Sequence, residues 1–371
     1  MNKIQSLYIH FPFCIRKCSY CDFHSLKKAD DDWSWYHEYL ESSMRSHQSL
    51  LDKNSYTFGE LKTFYIGGGT PSLWGRKGAD FLSVFLKNWN INFSSDIEAT
   101  LEINPATDFE KDQKRWEDVG INRFSVGVQS VNDDYLKLLG RVHDQKTALK
   151  LLDGFSSGNV NFSVDLMLGL PFSKDGKRNI LLELEKILDY GPEHISLYIL
   201  TPPSNFPYSD QIPDEKWIQD EYLRASDYLR EQGFIHYEVS NFARKGSKSK
   251  HNMTYWDFNS YAAIGPSACG FLKDKRLRYK WSLRGPEIEP ESLTVEQVKL
   301  EEFYLALRTD KGVDPCRFIN DAEMKKFYEI CNRWEKRGLI KIESCRVVLT
   351  TRGYLVMDSL LDEVFSRIKM F

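Results

Sequence analysis

Three cysteines crowd into one short segment, Tyr8-Ile9-His10-Phe11-Pro12-Phe13-Cys14-Ile15-Arg16-Lys17-Cys18-Ser19-Tyr20-Cys21-Asp22-Phe23. Their CxxxCxxC spacing puts three thiolates on one tight loop, enough to hold three irons of a cubane cluster. Such clusters usually take four cysteines. With only Cys14, Cys18 and Cys21 one iron stays open, and an open position is what separates a reactive metal centre from a structural one. The amino and carboxylate groups of S-adenosylmethionine can fill it. An electron from the cluster can then break the sulfonium C–S bond and release a 5′-deoxyadenosyl radical. The competing reading is a zinc ion completed by His10 or His24. The spacings lack the paired CxxC…CxxC or CxxC…HxxxH form of common zinc modules, so a [4Fe-4S] cluster is the expectation.

The elements that must carry this loop alternate strand and helix. Leu7 to His10 reads as a first strand, and Thr63–Ile66, Glu98–Ile103, Arg123–Val128, Asn161–Leu168 and His194–Leu200 as five more. Helical stretches follow each: Asp30–Leu51, Ala79–Trp89, Glu110–Val119, Asp133–Leu139 with Asp144–Phe155, Lys177–Tyr190 and Asp214–Gln232. Such repeats imply parallel pairing with right-handed crossovers. Gly67 to Thr70, Asn104, Gln129 and Gly169 sit just after strands, where α/β barrels gather their chemistry. The expected fold is α/β, a partial (β/α)6 barrel; a flavodoxin-like open sheet is the alternative.

After residue 240 the pattern breaks. Asn241–Tyr261 reads as a polar, basic loop, Phe271–Trp281 as a hairpin turning at Lys273-Asp274-Lys275, and Gly285–Pro290 as a linker. Helices over Thr294–Arg308 and Asp321–Arg337, a short strand at Val347–Thr350 and a last helix resemble a winged helix. The expected division is a barrel over 1–240, a connecting segment over 241–290 and a small C-terminal domain over 291–371.

The chain has 371 residues, 42% apolar, with a net charge of −3. That balance gives no global attraction to nucleic acid or anionic membranes. No apolar run approaches the roughly 18 residues of a membrane span, and no secretory signal is visible. A cytoplasmic location is expected. Cys269, Cys316, Cys331 and Cys345 are scattered, which is no disulfide framework, and buried apolar roles are expected for them.

The cysteine segment resembles the radical-SAM family of oxygen-independent coproporphyrinogen III oxidases and their relatives, the HemW-type haem chaperones. The resemblance runs along nearly the whole chain, through Gly67-Gly68-Gly69-Thr70-Pro71-Ser72, Glu102-Ile103-Asn104-Pro105, Phe124–Ser130, Gly140-Arg141-Val142-His143, Asp165–Pro171 and Tyr237–Ala243 to His251-Asn252-Met253-Thr254-Tyr255-Trp256. It implies that Tyr20 lies beside the adenine of S-adenosylmethionine and that Gly68, Gly69 and Thr70 approach its methionyl end. Glu102 would hydrogen-bond the ribose or amino group, and Gln129, Arg141 and Asp165 would complete the polar shell. Tyr8 matches a position whose hydroxyl faces the cofactor.

Within that family the oxidases carry a further cysteine two residues after the last cluster ligand, where this chain has Phe23. They also have a long extension before the tyrosine strand, whereas Tyr8 stands near the start here. Both departures count against decarboxylation of coproporphyrinogen, the alternative function. The segment from His251 to Trp256 matches HNxxYW, a motif associated with haem binding in the chaperones. A neutral imidazole ligates haem iron, Tyr255 and Trp256 offer flat faces, and Arg244, Lys245, Lys248 and Lys250 offer cations to propionates. Haem contacts are therefore expected at His251, Asn252, Tyr255 and Trp256. The function implied is a haem chaperone that passes haem to an acceptor haem protein, with an electron donor for the cluster, and with a homodimer left open. The tail shows no one-sided basic helix, so no nucleic acid partner is expected.

Overall fold

The computed structural model describes every residue except Lys28, Ala29, Lys177 and Phe371. Strand β1 (Asn2–Phe11) leads into the cysteine segment, which two short parallel strands close, β2 (Phe13–Cys14) and β3 (Leu26–Lys27). The chain then runs α1 (Ser34–Lys53), β4 (Tyr56–Gly68), α2 (Gly75–Asn88), β5 (Phe93–Ile103), α3 (Gln113–Val119), β6 (Arg123–Gln129), α4 (Asp133–Leu138), α5 (Gln145–Ser157), β7 (Phe162–Leu168), α6 (Ile180–Leu188), β8 (His194–Ile199) and α7 (Glu215–Glu231). Strands β1, β4, β5, β6, β7 and β8 pair in parallel in that order. The six strand-and-helix repeats thus stand where the alternation placed them, with β1, β4 and β5 longer at their N-terminal ends. The expected helix from Lys177 starts at a residue outside those described; α6 begins after Asn179, whose side chain accepts the Leu181 N–H.

Local chemistry explains the helix starts. Asp144 and Asp214 cap α5 and α7 by accepting the N–H of Thr147 and of Trp217 at 2.8 and 3.0 Å. Such caps satisfy donors that the first helical turn leaves free.

The sheet curls. Gly68 on β4 and Tyr198 on β8 line one cavity, although three strands separate them. Flat strands about 4.8 Å apart would hold them about 19 Å from each other. The flat flavodoxin-like alternative does not fit that approach. Along each strand the two faces differ in chemistry. Leu7, Ile9, Phe64, Ile66, Ala99, Leu101, Val126, Val164 and Leu166 join the apolar core under the helices. Their neighbours, such as Ser6, Tyr8, Thr63, Tyr65, Glu98, Glu102, Ser125 and Asp165, point to the other side, the barrel interior.

Beyond residue 240 the polar loop reading is corrected. Residues 235–264 supply β9 (Ile235–Glu238), β10 (Asn241–Ala243), α8 (Lys250–Trp256) and β11 (Ala262–Ile264). Strands β9 and β10 extend the sheet beyond β8, antiparallel, and β11 adds in parallel outside β1, giving nine strands. Tertiary burial makes these segments regular: Phe242, Ala243, Ala262 and Ile264 are fully buried. The hairpin of β12 (Cys269–Leu272) and β13 (Leu277–Trp281) turns at Lys273–Lys275 as expected. The stretch read as a linker instead contributes β14 (Ile288–Ser292), paired with β13. Pro290 is tolerated there because β14 is an edge strand.

The C-terminal elements are α9 (Val295–Leu307), α10 (Asp321–Lys336), the hairpin β15 (Ile340–Glu343) with β16 (Arg346–Leu349), α11 (Thr351–Tyr354) and α12 (Met357–Arg367). They enclose their own apolar cluster, from Phe303 to Ile368. Of the four scattered cysteines only Cys331 is buried; Cys269, Cys316 and Cys345 are exposed. Among the described residues, no helix is long and apolar enough to cross a membrane.

Candidate functional site

The cysteine loop is tied to the barrel mouth by the glycine-rich turn after β4. Gly69 N–H donates to the Phe11 carbonyl and Thr70 N–H to that of Phe13, both at 2.7 Å. Thr70 Oγ1 lies 3.5 Å from Cys14 Sγ. The glycines are required by this packing. A Cβ on Gly68 would stand 2.4 Å from the His10 ring, and φ there is +113°; a Cβ on Gly69 would stand 2.5 Å from the Phe13 carbonyl oxygen. Both clashes would force the loop away.

Cys14, Cys18 and Cys21 all line one cavity of about 400 Å³. Around it stand Gly68, Gly69, Thr70, Glu102, Gln129, Arg141, Asp165 and Tyr20, so eight of the nine residues expected to face S-adenosylmethionine meet there. Tyr8 is the exception. Its hydroxyl lies 3.0 Å from His10 Nδ1, and His10 Nε2 lies 3.1 Å from the His24 carbonyl oxygen. Tyr8 therefore steadies the cysteine loop instead of forming the cavity wall.

Arg141 bridges the two halves of the site. One guanidinium nitrogen donates to the Gly127 carbonyl at 2.6 Å and another lies 3.8 Å from Cys18 Sγ. The irregular register at Gly127–Gln129 turns that carbonyl toward the arginine, and Gln129 has a φ of +70°. Strain of this kind persists where the surroundings over-determine it. Burial pushes the Cys14 and Cys21 thiols up from their ordinary range.

Glu102 accepts from the Tyr65 hydroxyl at 2.9 Å and from Gly68 N–H at 3.0 Å. Burial raises its carboxyl to about 7, against the lowering effect of the Tyr65 hydrogen bond. Asp165 is also raised by burial, with Ser196 and Ser125 hydrogen bonds pulling the other way. Among the described residues, Arg141 Nε and Asp165 Oδ1 are buried without a hydrogen-bond partner. Orphaned polar atoms on a cavity wall fit a polar ligand that is to come.

The donor set fits a cluster better than a single ion. Among the described residues no three His, Cys, Asp or Glu side chains converge as a single metal ion requires. A cubane spreads its sulfurs over three irons. Of the two histidines that the zinc reading offered, His10 and His24, the first is engaged by Tyr8 and by the His24 carbonyl.

Sequence reasoning missed Ser125, Met167, Tyr198, Ile199 and Thr201, which also line the cavity. For Met167, Tyr198, Ile199 and Thr201, position at or near strand C-terminal ends was the available signal. It also misplaced the HNxxYW segment. This segment is α8, not a loop, and it lies outside the cavity. His251 is buried, its Nδ1 2.8 Å from Thr63 Oγ1 and its Nε2 2.7 Å from the Tyr255 hydroxyl. An iron could reach that imidazole only by displacing one of these bonds. Asn252, Tyr255 and Trp256 are half-buried, with Trp256 under the Arg308 guanidinium at 4.8 Å. Of the cations upstream, Lys248 pairs with Asp310 and Lys250 with Asp96.

A curled parallel sheet with three cysteines at its mouth defines a class, the radical SAM proteins, and the family model described as the Radical SAM superfamily matches residues 8–184. Coproporphyrinogen III oxidase (HemN) from Escherichia coli, described as a radical SAM enzyme, superposes with a TM-score of 0.81 over 97% of this chain and 90% of its own, at 18% identity. That likeness establishes the fold. A protein of Buchnera aphidicola from Schizaphis graminum, named Heme chaperone HemW, is 36% identical over 96% of this chain and 97% of its own. The Haemophilus influenzae protein of the same name is 38% identical over 72% of this chain and 70% of its own. The chain belongs to the HemW family of the radical SAM superfamily. Membership implies a [4Fe-4S] cluster and S-adenosylmethionine.

Proposed function

We propose that the protein is a cytoplasmic haem chaperone that binds haem, a [4Fe-4S] cluster and S-adenosylmethionine, and passes haem to an acceptor haem protein. The observation that carries the cofactor half is the shared cavity of the three cysteines, where Arg141 Nε and Asp165 Oδ1 have no partner among the described residues. Cys14, Cys18 and Cys21 would hold the cluster. Tyr20, Gly68, Gly69, Thr70, Glu102, Gln129, Arg141 and Asp165 would hold S-adenosylmethionine. The chemistry that this pair supplies when bound is one-electron cleavage of the sulfonium C–S bond. Of the protein's own groups, Arg141 places a positive charge beside Cys18, and Glu102 offers a carboxyl that titrates near neutrality.

The haem half is supported by the family and by the residue that stands at one oxidase position. Phe23 stands at the cavity rim, 64% exposed, where the resemblance places a further cysteine in the oxidases. Within the HNxxYW segment, Asn252, Tyr255 and Trp256 remain candidates for haem contact, and His251 is withdrawn as the iron ligand. An electron donor and a homodimer belong to the proposal, as does the division into barrel, connecting segment and C-terminal unit. Two assays test it. Haem titration should reach one haem per chain, followed by transfer to an apo-haem protein. Reduced protein supplied with S-adenosylmethionine should form no protoporphyrinogen from coproporphyrinogen. Sustained turnover in the second assay would replace the chaperone with the oxidase.

A further inference from the structure

The N-terminal end of the barrel is closed by α8, the HNxxYW helix. Its first turn sits on Glu98, whose carboxylate accepts the N–H of Lys250 and of His251, each at 2.9 Å. Thr254 Oγ1 meets Ser6 Oγ on β1 at 3.2 Å. These contacts fall at Ser6, Thr63 and Glu98, which pair side by side near the middles of β1, β4 and β5. The cofactor cavity uses the late halves of β4 and β5, at Gly68 and Glu102.

The two ends are joined through the barrel interior. The His251 ring stacks on Tyr65, with centroids 5.1 Å apart and planes at 28°. Tyr65 is two residues after Thr63, so both project to the same face of β4. The Tyr65 hydroxyl donates to Glu102 at 2.9 Å. His251 is itself locked between Thr63 and Tyr255. Burial, and the Arg123 charge after it, hold this imidazole neutral down to about 3. A neutral ring can stack against Tyr65 without importing charge beneath the site.

We propose that His251 is a positioning residue for the S-adenosylmethionine site: it fixes Tyr65 from below, and Tyr65 holds the Glu102 carboxylate at the cavity wall. This rests on the reading of that cavity as the S-adenosylmethionine site. It gives the histidine of HNxxYW a structural task in cofactor binding in place of iron ligation.

The test uses the full chain, anaerobically reconstituted, with S-adenosylmethionine affinity from equilibrium dialysis and haem stoichiometry from titration of the same preparations. His251→Ala should weaken S-adenosylmethionine binding about tenfold, the scale of one lost hydrogen bond to a charged group, with iron content and haem stoichiometry unchanged. Tyr65→Phe should weaken it by a similar factor. The double variant should be no weaker than the worse single, as expected of residues acting in series. Wild-type affinity in either single variant overturns the proposal, as does an additive double variant. So does a His251→Ala protein that loses haem while keeping S-adenosylmethionine affinity. If His251→Ala does not load iron or melt cooperatively, Tyr65→Phe alone decides. Failure of the wild type to bind S-adenosylmethionine at all would instead refute the underlying cavity reading. Failure to bind haem would refute the chaperone half alone.

Discussion

At the mouth of the barrel Arg141 and Asp165 each keep a buried polar atom without a partner among the described residues, while at the floor both ring nitrogens of His251 and both carboxylate oxygens of Glu98 are engaged. The same strands β4 and β5 build both ends. Polarity alone does not mark the binding end, since the interior is polar throughout. What separates His251 and Glu98 from Arg141 and Asp165 is satisfaction: a completed hydrogen-bond set is structure, and an incomplete one on a cavity wall is a place for a ligand. The HNxxYW histidine has the residue type of a ligand and the surroundings of a core residue.

The largest effect should come from breaking the mouth outright. Cys18→Ala should take the reconstituted iron content from about four per chain to near zero, read by iron analysis, while the floor keeps the chain folded. A chain that still loads a full cluster would mean that the sulfurs lining the cavity are not the ligand set. Next is Arg141→Ala, which removes the cation beside Cys18 and leaves the Gly127 carbonyl without its donor. S-adenosylmethionine affinity should fall about 10- to 100-fold, the range for a hydrogen bond to a charged group, with a smaller change in thermal stability.

The floor should answer in stability. Glu98→Ala strips the acceptor from two N–H groups at the start of α8, and should cost about 1–3 kcal/mol, measured by denaturant unfolding of the apo-protein. An unchanged midpoint would show that α8 is held by its apolar contacts alone.

The smallest expected effect is the opposite response of the two ends to pH. Glu102 is raised to about 7, so its contribution to apo-protein stability is complete below about 4.5 and is lost as pH rises through 7. His251 is lowered to about 3, so its contribution is present above about 6.5 and is lost as pH falls toward 3. Glu102→Gln should therefore flatten the melting temperature between pH 4.5 and 7, and His251→Asn should flatten it on the acid side, each by about 2–4 °C. Variants with parallel profiles would erase the distinction between mouth and floor.

Much of this was legible in residue order. The CxxxCxxC loop, the six strand-and-helix repeats and the placement of Gly67 to Thr70, Asn104, Gln129 and Gly169 just after strands are local patterns, and eight of the nine cofactor contacts that the family resemblance implied share the cavity. The strands also carry a period-two signal, apolar toward the helices and polar inward. Strands buried on both faces usually read as continuous apolar runs, and this departure was a sign of a polar interior.

What residue order could not give was the partner of each polar group. The segment 241–261 is polar and basic, and its regularity comes from strands far away in sequence: Ser196 and Ile195 for β10, Glu98 and Thr63 for α8, and β1 for β11. His251 turned to Thr63 for the same reason, whereas Tyr8 turned to His10 on its own strand. A side chain's chemistry is local, but its hydrogen-bond completion depends on which distant strand the curled sheet brings beside it.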